Sequence, residues 1–295
     1  MIATPLSSVL ILGHSGYVGS RVAAALSGDG VPVVGRSTPS LDLTRDDSVG
    51  ALTELLDPNG GVVMCAAIKK QLGDTPDIFA KNQAMTLNVG KALAAKPVKR
   101  VVYFSSGSVY GEDVPHPIIS EATTPQPTSY YGIGKFASER LILKMAGQQA
   151  RTSIVIVRPA LVYGPHEPGY YYGPSGFLRS AQAEQSITLW GDGEERREFI
   201  YIDDLVELTC RLTLGAQTGL VNIASGKSYT FAQALASIEA LIGCRPAVNL
   251  RPRSKDKIDH QFDNTRLREW FPDFCFTDLD TGLARTKLAE ETLPS

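Results

Sequence analysis

Val9-Leu-Ile-Leu-Gly13-His-Ser-Gly16-Tyr-Val-Gly19-Ser-Arg-Val-Ala-Ala-Ala-Leu26 is the stretch from which the fold of this 295-residue chain is read. Its four opening apolar residues suit a short strand covered on both faces. An amphipathic run from Tyr17 suits a helix. Between them stand three glycines, each three residues apart. Gly13 permits a tight turn, Gly16 lets the backbone approach a pyrophosphate, and Gly19 lets helix and strand pack closely. The helix N-terminus beyond offers unpaired N–H groups and the positive end of its dipole. A dinucleotide site is therefore expected here, with Gly13, Ser15, Gly16, Tyr17, Val18 and Gly19 as its contacts.

The same alternation continues outward. Val31–Val34, Gly61–Ala67, Arg100–Phe104 and Ser153–Val157 are short, apolar and mostly β-branched, as buried strands should be. Asp46–Leu56, Asp77–Ala95 and Ser129–Met145 read as helices between them. Strand–helix alternation implies an α/β fold with a parallel sheet and right-handed crossovers. With the glycine turn, this is a Rossmann-type doubly wound sheet. After Pro159 the pattern breaks, and residues 163–176 hold four Gly, three Pro and four Tyr, which reads as a loop. Asp203–Leu214 (helix), Leu220–Ile223 (strand) and Thr230–Ile242 (helix) then return to the sheet or cap it. The expected division is a dinucleotide-binding domain at 1–160 plus about 201–225. A smaller, interleaved substrate-binding lobe takes about 161–200 plus 226–295.

Composition narrows the function classes. Lys plus Arg total 29 against 31 acids, a net charge of −2, which gives no support to polyanion binding and sets nucleic acid aside. The four cysteines, Cys65, Cys210, Cys244 and Cys275, lie far apart with no Cys-x-x-Cys pair. They fit buried thiols in a reducing compartment, and neither a disulfide framework nor a metal site is expected. Met1 to Ser8 carries no Lys or Arg, and no stretch approaches 18 apolar residues. A cytoplasmic protein with neither secretion signal nor membrane span is expected.

Further along, Val33-Val-Gly35-Arg36-Ser37 ends the second strand. An acid near this point bonds the ribose 2′-hydroxyl of NAD, whereas an arginine accommodates a 2′-phosphate. Arg36 with the Ser37 hydroxyl favours NADP(H) over NAD(H). Asp42, with Leu43 beside it, could orient the adenine amino group, although loop Asp is also ordinary turn chemistry. Tyr131 and Lys135 are spaced i, i+4, so both project from one helix face. A free tyrosine near pKa 10 is a poor acid–base group at neutral pH, and an ammonium beside it is expected to lower that value. Ser106 ends the fourth strand, at the carboxyl edge where open α/β sheets bind ligands.

These residues resemble a family. The glycine run, Phe104-Ser-Ser-Gly-Ser-Val-Tyr-Gly111, Tyr131-Gly-Ile-Gly-Lys135, Arg158-Pro-Ala-Leu-Val-Tyr-Gly-Pro165 and Arg197-Glu-Phe-Ile-Tyr-Ile-Asp-Asp204 look like the extended short-chain dehydrogenase/reductases. That group comprises nucleotide-sugar epimerases, dehydratases and reductases. The resemblance implies that Ser106, Tyr131 and Lys135 are catalytic, Tyr131 and Lys135 also touching the cofactor. It places Ala66, Ala67, Lys69, Asn82 and Pro159 along the cofactor, and Ser108, Arg197 and Arg253 on substrate. In the family the two arginines grip the substrate diphosphate, for which a guanidinium fork is suited, and Asp263 follows Arg253 at the family's spacing. The resemblance also implies a homodimer through the helices at 77–95 and 129–145.

Departures from the family are informative too. Dehydratases carry Asp-Glu directly after the catalytic hydroxyl, where this chain has Gly107 and Ser108. The residue after Arg158-Pro-Ala is Leu161 where an Asn usually contacts substrate, and Tyr170–Phe177 forms an unusual aromatic segment. The leading expectation is an NADPH-dependent 4-keto reductase acting on a nucleotide sugar. A C4 epimerase with tightly held NAD is the alternative, and a non-turnover NADP(H) sensor a lesser one.

Overall fold

The computed structural model describes residues 5–148, 151–168, 173–253 and 256–292. The chain runs β1 (Val9–Leu12), α1 (Tyr17–Gly28), β2 (Val33–Arg36), α2 (Ser48–Leu55), β3 (Gly61–Met64), α3 (Pro76–Ala95), β4 (Arg100–Phe104), α4 (Tyr130–Met145) and β5 (Ser153–Pro159). It continues β6 (Leu161–Tyr163), α5 (Pro174–Gln182), β7 (Ile187–Trp190), β8 (Arg196–Tyr201), α6 (Ile202–Leu214) and β9 (Gly219–Ile223). The last elements are β10 (Ser228–Thr230), α7 (Phe231–Ile242), β11 (Val248–Arg251), α8 (Thr265–Trp270) and α9 (Leu279–Glu291).

A six-stranded sheet has the order β2-β1-β3-β4-β5-β9. β1 pairs in parallel with both β2 and β3, and β4 is parallel to β3 and β5. β1, β3 and β4 are buried along their whole length, because crossover helices cover both faces. The winding reverses at β1, which opens a crevice at the carboxyl ends of the flanking strands. Leu10, Leu12, Val62, Met64, Val101, Tyr103 and Ile156 form the core with Val89 and Leu93 of α3 and Ile142 of α4. α3 starts with Thr75, whose side chain accepts the Ile78 N–H, followed by Pro76 at the first helical position. It is tied to α4 by Gln83 Nε2 donating to the Gly134 carbonyl at 2.9 Å and by a Thr86–Ser138 hydroxyl pair at 2.9 Å.

The chain divides into two compact units. The first comprises residues 1–112, 124–158 and 206–221, and the second 113–123, 159–205 and 222–295. In the second, β8 runs antiparallel to β10 and parallel to β6, while β7 and β11 form a separate parallel pair. Phe231 at the start of α7 packs edge-to-face with Phe177 and with Phe199, ring centres 5.9 Å apart in each pair. Residues 113–123, 201–205 and 222–225 group with this unit.

Two local expectations shift. The strand expected at 61–67 ends at Met64, because Cys65 to Ile68 leave the ladder to line a cleft. The loop expected over 163–176 is bounded by structure: β6 includes Tyr163, and α5 begins at Pro174 with Phe177 buried. Residues 169–172, with the tyrosines of that segment, lie outside the described residues. Among the described residues no helix is long and apolar enough to cross a membrane.

Candidate active site

Each glycine of the opening turn does a different job. Gly13 has φ +85°, and a Cβ there would lie 2.7 Å from the Ala66 nitrogen, so only glycine fits. A Cβ on Gly19 would run into the Gly13 carbonyl, which is the close helix–strand packing expected from sequence. Gly16 differs, since its Cβ would meet only the Gly13 oxygen at 3.2 Å, leaving that side open to the cleft. Gly16 also precedes α1 with no side-chain cap on the first-turn N–H groups. Uncapped donors at a helix start, beside an open cleft, suit the phosphates of a dinucleotide.

That cleft has a volume of about 410 Å³ and lies within the first unit. Gly13, Ser15, Gly16, Tyr17, Val18, Gly19, Ser37, Asp42, Leu43, Ala66, Ala67 and Lys69 line it. Asp42 is held in a turn by the Thr44 N–H at 3.0 Å and the Thr44 hydroxyl at 2.7 Å, and those bonds keep its carboxyl below the usual range. Asn82 sits behind the lining: Oδ1 accepts the Ile68 N–H at 2.8 Å and Nδ2 donates to the Ile68 carbonyl at 3.0 Å. It therefore shapes the loop after β3.

Arg36 is placed away from the cleft. It is not among the cleft-lining residues, and its guanidinium donates to the Gly35 carbonyl at 2.8 Å. The side chain finds an acceptor on its own backbone instead of reaching the cleft. Ser37 and Thr38 carry the polar groups that line it at this end.

Ala66 and Ala67 also line a small recess together with Asn82, Thr86, Tyr103, Tyr131, Gly134, Lys135 and Ser138. Ser106, Tyr131 and Lys135 come together because the first turns of α4 lie beside the carboxyl end of β4. Ser106 lies two residues past β4 and its Oγ accepts the Ser108 N–H at 3.1 Å, capping a 3-10 turn at Gly107–Tyr110. Gly132 lets α4 approach this turn, since a Cβ there would sit 2.6 Å from the Ser108 carbonyl. The half-buried Tyr131 is pushed up to about 12 by burial, against the lowering effect of its bond to the Ser106 hydroxyl, with Glu112 raising it further. Lys135 is buried and donates to the Phe104 carbonyl at 2.6 Å, and burial pushes its own value down to about 8. The Tyr131 value therefore lies above the ordinary one, where a neighbouring ammonium was expected to lower it. Desolvation disfavours the phenolate more than its surroundings favour it.

Two supporting groups carry no family motif in the sequence. Glu112 accepts the Ser108 hydroxyl at 3.0 Å and pairs with Lys70. Glu139, one turn beyond Lys135 on α4, makes a two-pronged pair with Arg158 at 2.8 and 2.6 Å and accepts the Ser105 hydroxyl. Arg158 also lies 4.8 Å from the Tyr110 ring centre. Helical spacing from Lys135 is the one signal that could have flagged Glu139. Pro159 closes β5.

Arg197 and Arg253 are brought together within the second unit by Glu195. One Glu195 oxygen accepts from Arg197 at 2.5 Å and the other from Arg253 at 3.0 Å, and Arg253 also reaches Asp192 at 2.9 Å. Asp263 is engaged instead by the Thr265 N–H at 2.8 Å. Leu161, on β6, is exposed. Among the described residues no group of three or more His, Cys, Asp or Glu could hold a metal ion.

Residues 9–224 match the model of the NAD dependent epimerase/dehydratase family. The chain is 28% identical to UDP-glucose 4-epimerase of Mycolicibacterium smegmatis, the match covering 94% of this chain and 96% of that protein. It is 26% identical to dTDP-4-dehydro-6-deoxy-D-allose reductase of Streptomyces bikiniensis, covering 95% and 94%. Among solved structures, MoeE5 in complex with UDP-glucuronic acid and NAD superposes with a TM-score of 0.82 at 26% identity, over 97% of this chain and 100% of that one.

Proposed function

Since the chain belongs to the NAD-dependent epimerase/dehydratase family, we propose that it is a nicotinamide-dependent oxidoreductase acting on a nucleotide-activated sugar, and that it reduces a 4-keto sugar with NADPH. The observation that carries this reading is geometric: Tyr131 and Lys135 line a recess that shares Ala66 and Ala67 with the cleft, and the Ser106 hydroxyl is bonded to Tyr131. With its value pushed up to about 12, Tyr131 is a phenol at neutral pH, the form a reduction needs. When bound, the nicotinamide supplies the hydride. Tyr131 gives its proton to the carbonyl oxygen as that oxygen gains charge, and the Ser106 hydroxyl bonds the same oxygen. Lys135, held on the Phe104 carbonyl with its nitrogen 5.9 Å from the Tyr131 ring centre, steadies the phenolate left behind. Ser108 is assigned to substrate, and Arg197 and Arg253 to its diphosphate, which would displace Glu195 from between them.

A C4 epimerase with retained NAD is the second reading. Arg36 favours it, because its guanidinium is bonded to the Gly35 carbonyl and not offered to a 2′-phosphate. The relative named UDP-glucose 4-epimerase is in keeping with it. The two readings separate in one experiment. Acid-denatured protein is assayed for released nicotinamide, and the native protein is given NADPH with a dTDP-4-dehydro-6-deoxyhexose or, separately, UDP-glucose. Stoichiometric NADPH oxidation with the keto sugar supports the reductase. Near-stoichiometric released NAD, with UDP-glucose and UDP-galactose interconverting and no net cofactor use, overturns it in favour of the epimerase.

The reading includes a cytoplasmic homodimer joined through α3 and α4. Leu87 of α3 and Tyr130, Ile133 and Leu143 of α4 are exposed apolar side chains on these helices. Light scattering of Leu87→Lys beside the parent chain tests it, and a parent chain that is monomeric at micromolar concentration refutes it.

A further inference from the structure

One face of α3 serves the cleft. Lys81 and Met85, spaced i, i+4, both line it, and Asn82 beside them pins the loop after β3. The other basic side chains nearby are engaged. Arg21 lies 4.3 Å and Lys69 5.7 Å from the Tyr17 ring centre, and Arg36 is bonded to the Gly35 carbonyl. The single carboxylate in the lining, Asp42, is committed to Thr44. Lys81 is exposed and has no hydrogen-bond or ion-pair partner among the described residues. An ammonium on a flexible four-carbon stem, at the lip of a cleft whose turn is built for phosphates, is a cation without an anion.

We propose that Lys81 is a cofactor-binding residue whose ammonium contacts a phosphate oxygen of the bound dinucleotide. This rests on the reading that the cleft holds a nicotinamide dinucleotide. Two phosphates offer the same chemistry, the pyrophosphate common to NADH and NADPH and the 2′-phosphate of NADPH alone. Lys69 and the uncapped start of α1 supply part of the positive field, and Lys81 completes it from α3.

The test is a fluorescence titration of the intact 295-residue chain with NADH and with NADPH, for the parent, Lys81→Met and Lys81→Arg. An exposed charge contact of this kind is worth about fivefold in affinity. Lys81→Met should lose at least that, Lys81→Arg should retain it, and the parent's affinity should fall more steeply with salt than that of Lys81→Met. A loss shared by both dinucleotides supports contact with the pyrophosphate. A loss confined to NADPH supports contact with the 2′-phosphate. Unchanged affinity for both, or a loss confined to NADH, overturns the proposal while the cleft's assignment stands. A parent chain that binds neither dinucleotide overturns the assignment itself, and the role of Lys81 with it.

Discussion

Tyr131 is the side chain on which the chemistry turns, and its surroundings act in opposite directions. Burial and the Glu112 charge keep the proton on, whereas the Ser106 hydroxyl favours its departure. Replacing Tyr131 by Phe should lower the reductive turnover number by about two to four orders of magnitude, the usual worth of a positioned proton donor. NADPH affinity should change little, which separates loss of the acid from loss of the site. The electrostatic argument has its own test. Reduction needs the protonated phenol, so the rate falls as pH rises through the Tyr131 value. Glu112→Gln removes a charge that raises that value, and the alkaline limb of the pH–rate profile should move to lower pH. Lys70, paired with Glu112, partly neutralises it, so Lys70→Met should move the limb the other way. Lys135 stays in place in both variants. Limbs moving together would show that the variants act by general disruption instead.

At the scale of elements, the site depends on how closely α4 is held against the ends of β4 and β5. Gly132 sets the approach of α4 to the turn after Ser106, and the Glu139–Arg158 pair locks α4 to β5. Both charges of that pair are almost fully buried. Removing one partner leaves the other charged and unsatisfied, which costs about 3–5 kcal/mol. Arg158→Met should lose stability of that order in denaturant unfolding. Glu139→Leu combined with Arg158→Met should be less damaging than Arg158→Met alone, because no charge is stranded. At the glycine turn, Gly19→Val should abolish dinucleotide binding, since a Cβ at Gly19 already collides with the Gly13 carbonyl. Isothermal titration with NADH measures it.

Across the whole molecule, the chain passes repeatedly between its two units, and residues far apart in sequence meet in each. Glu198 on β8 shows what this does to a charged group. It is 1% exposed and accepts the Gly226 N–H at 2.7 Å, and burial pushes its carboxyl up from 4.5 to about 7. The folded state therefore binds this proton more tightly than the unfolded chain. The resulting stabilisation is full below about pH 4.5 and is lost as pH rises through about 7. Glu198→Gln should keep the Gly226 bond and remove the titration. Its melting temperature should lose less than the parent's between pH 5 and pH 8, a difference worth at most about 3 kcal/mol. Parallel melting curves over that range would show that Glu198 is already ionised in the fold.

The sheet and the glycine turn were legible in sequence because their signals are local. A strand buried on both faces is a short apolar run, a helix is a 3.6-residue period, and a positive φ at a tight turn calls for glycine. Val9–Leu12, Tyr17 onward and the spacing of Tyr131 and Lys135 carried that information directly. The carboxyl edge of the fourth strand pointed to Ser106, and the resemblance to a family added Arg197 and Arg253, which no local rule singles out. Tertiary structure decided the rest, through contacts between distant residues. Tyr131 is raised and not lowered, Glu195 joins Arg253 to Arg197, Glu112 answers to Lys70, and Lys81 is placed at a cleft whose other walls lie far away in sequence. Burial and pairing over long sequence separations set these properties, and neither is encoded in the period or the propensity of any single segment.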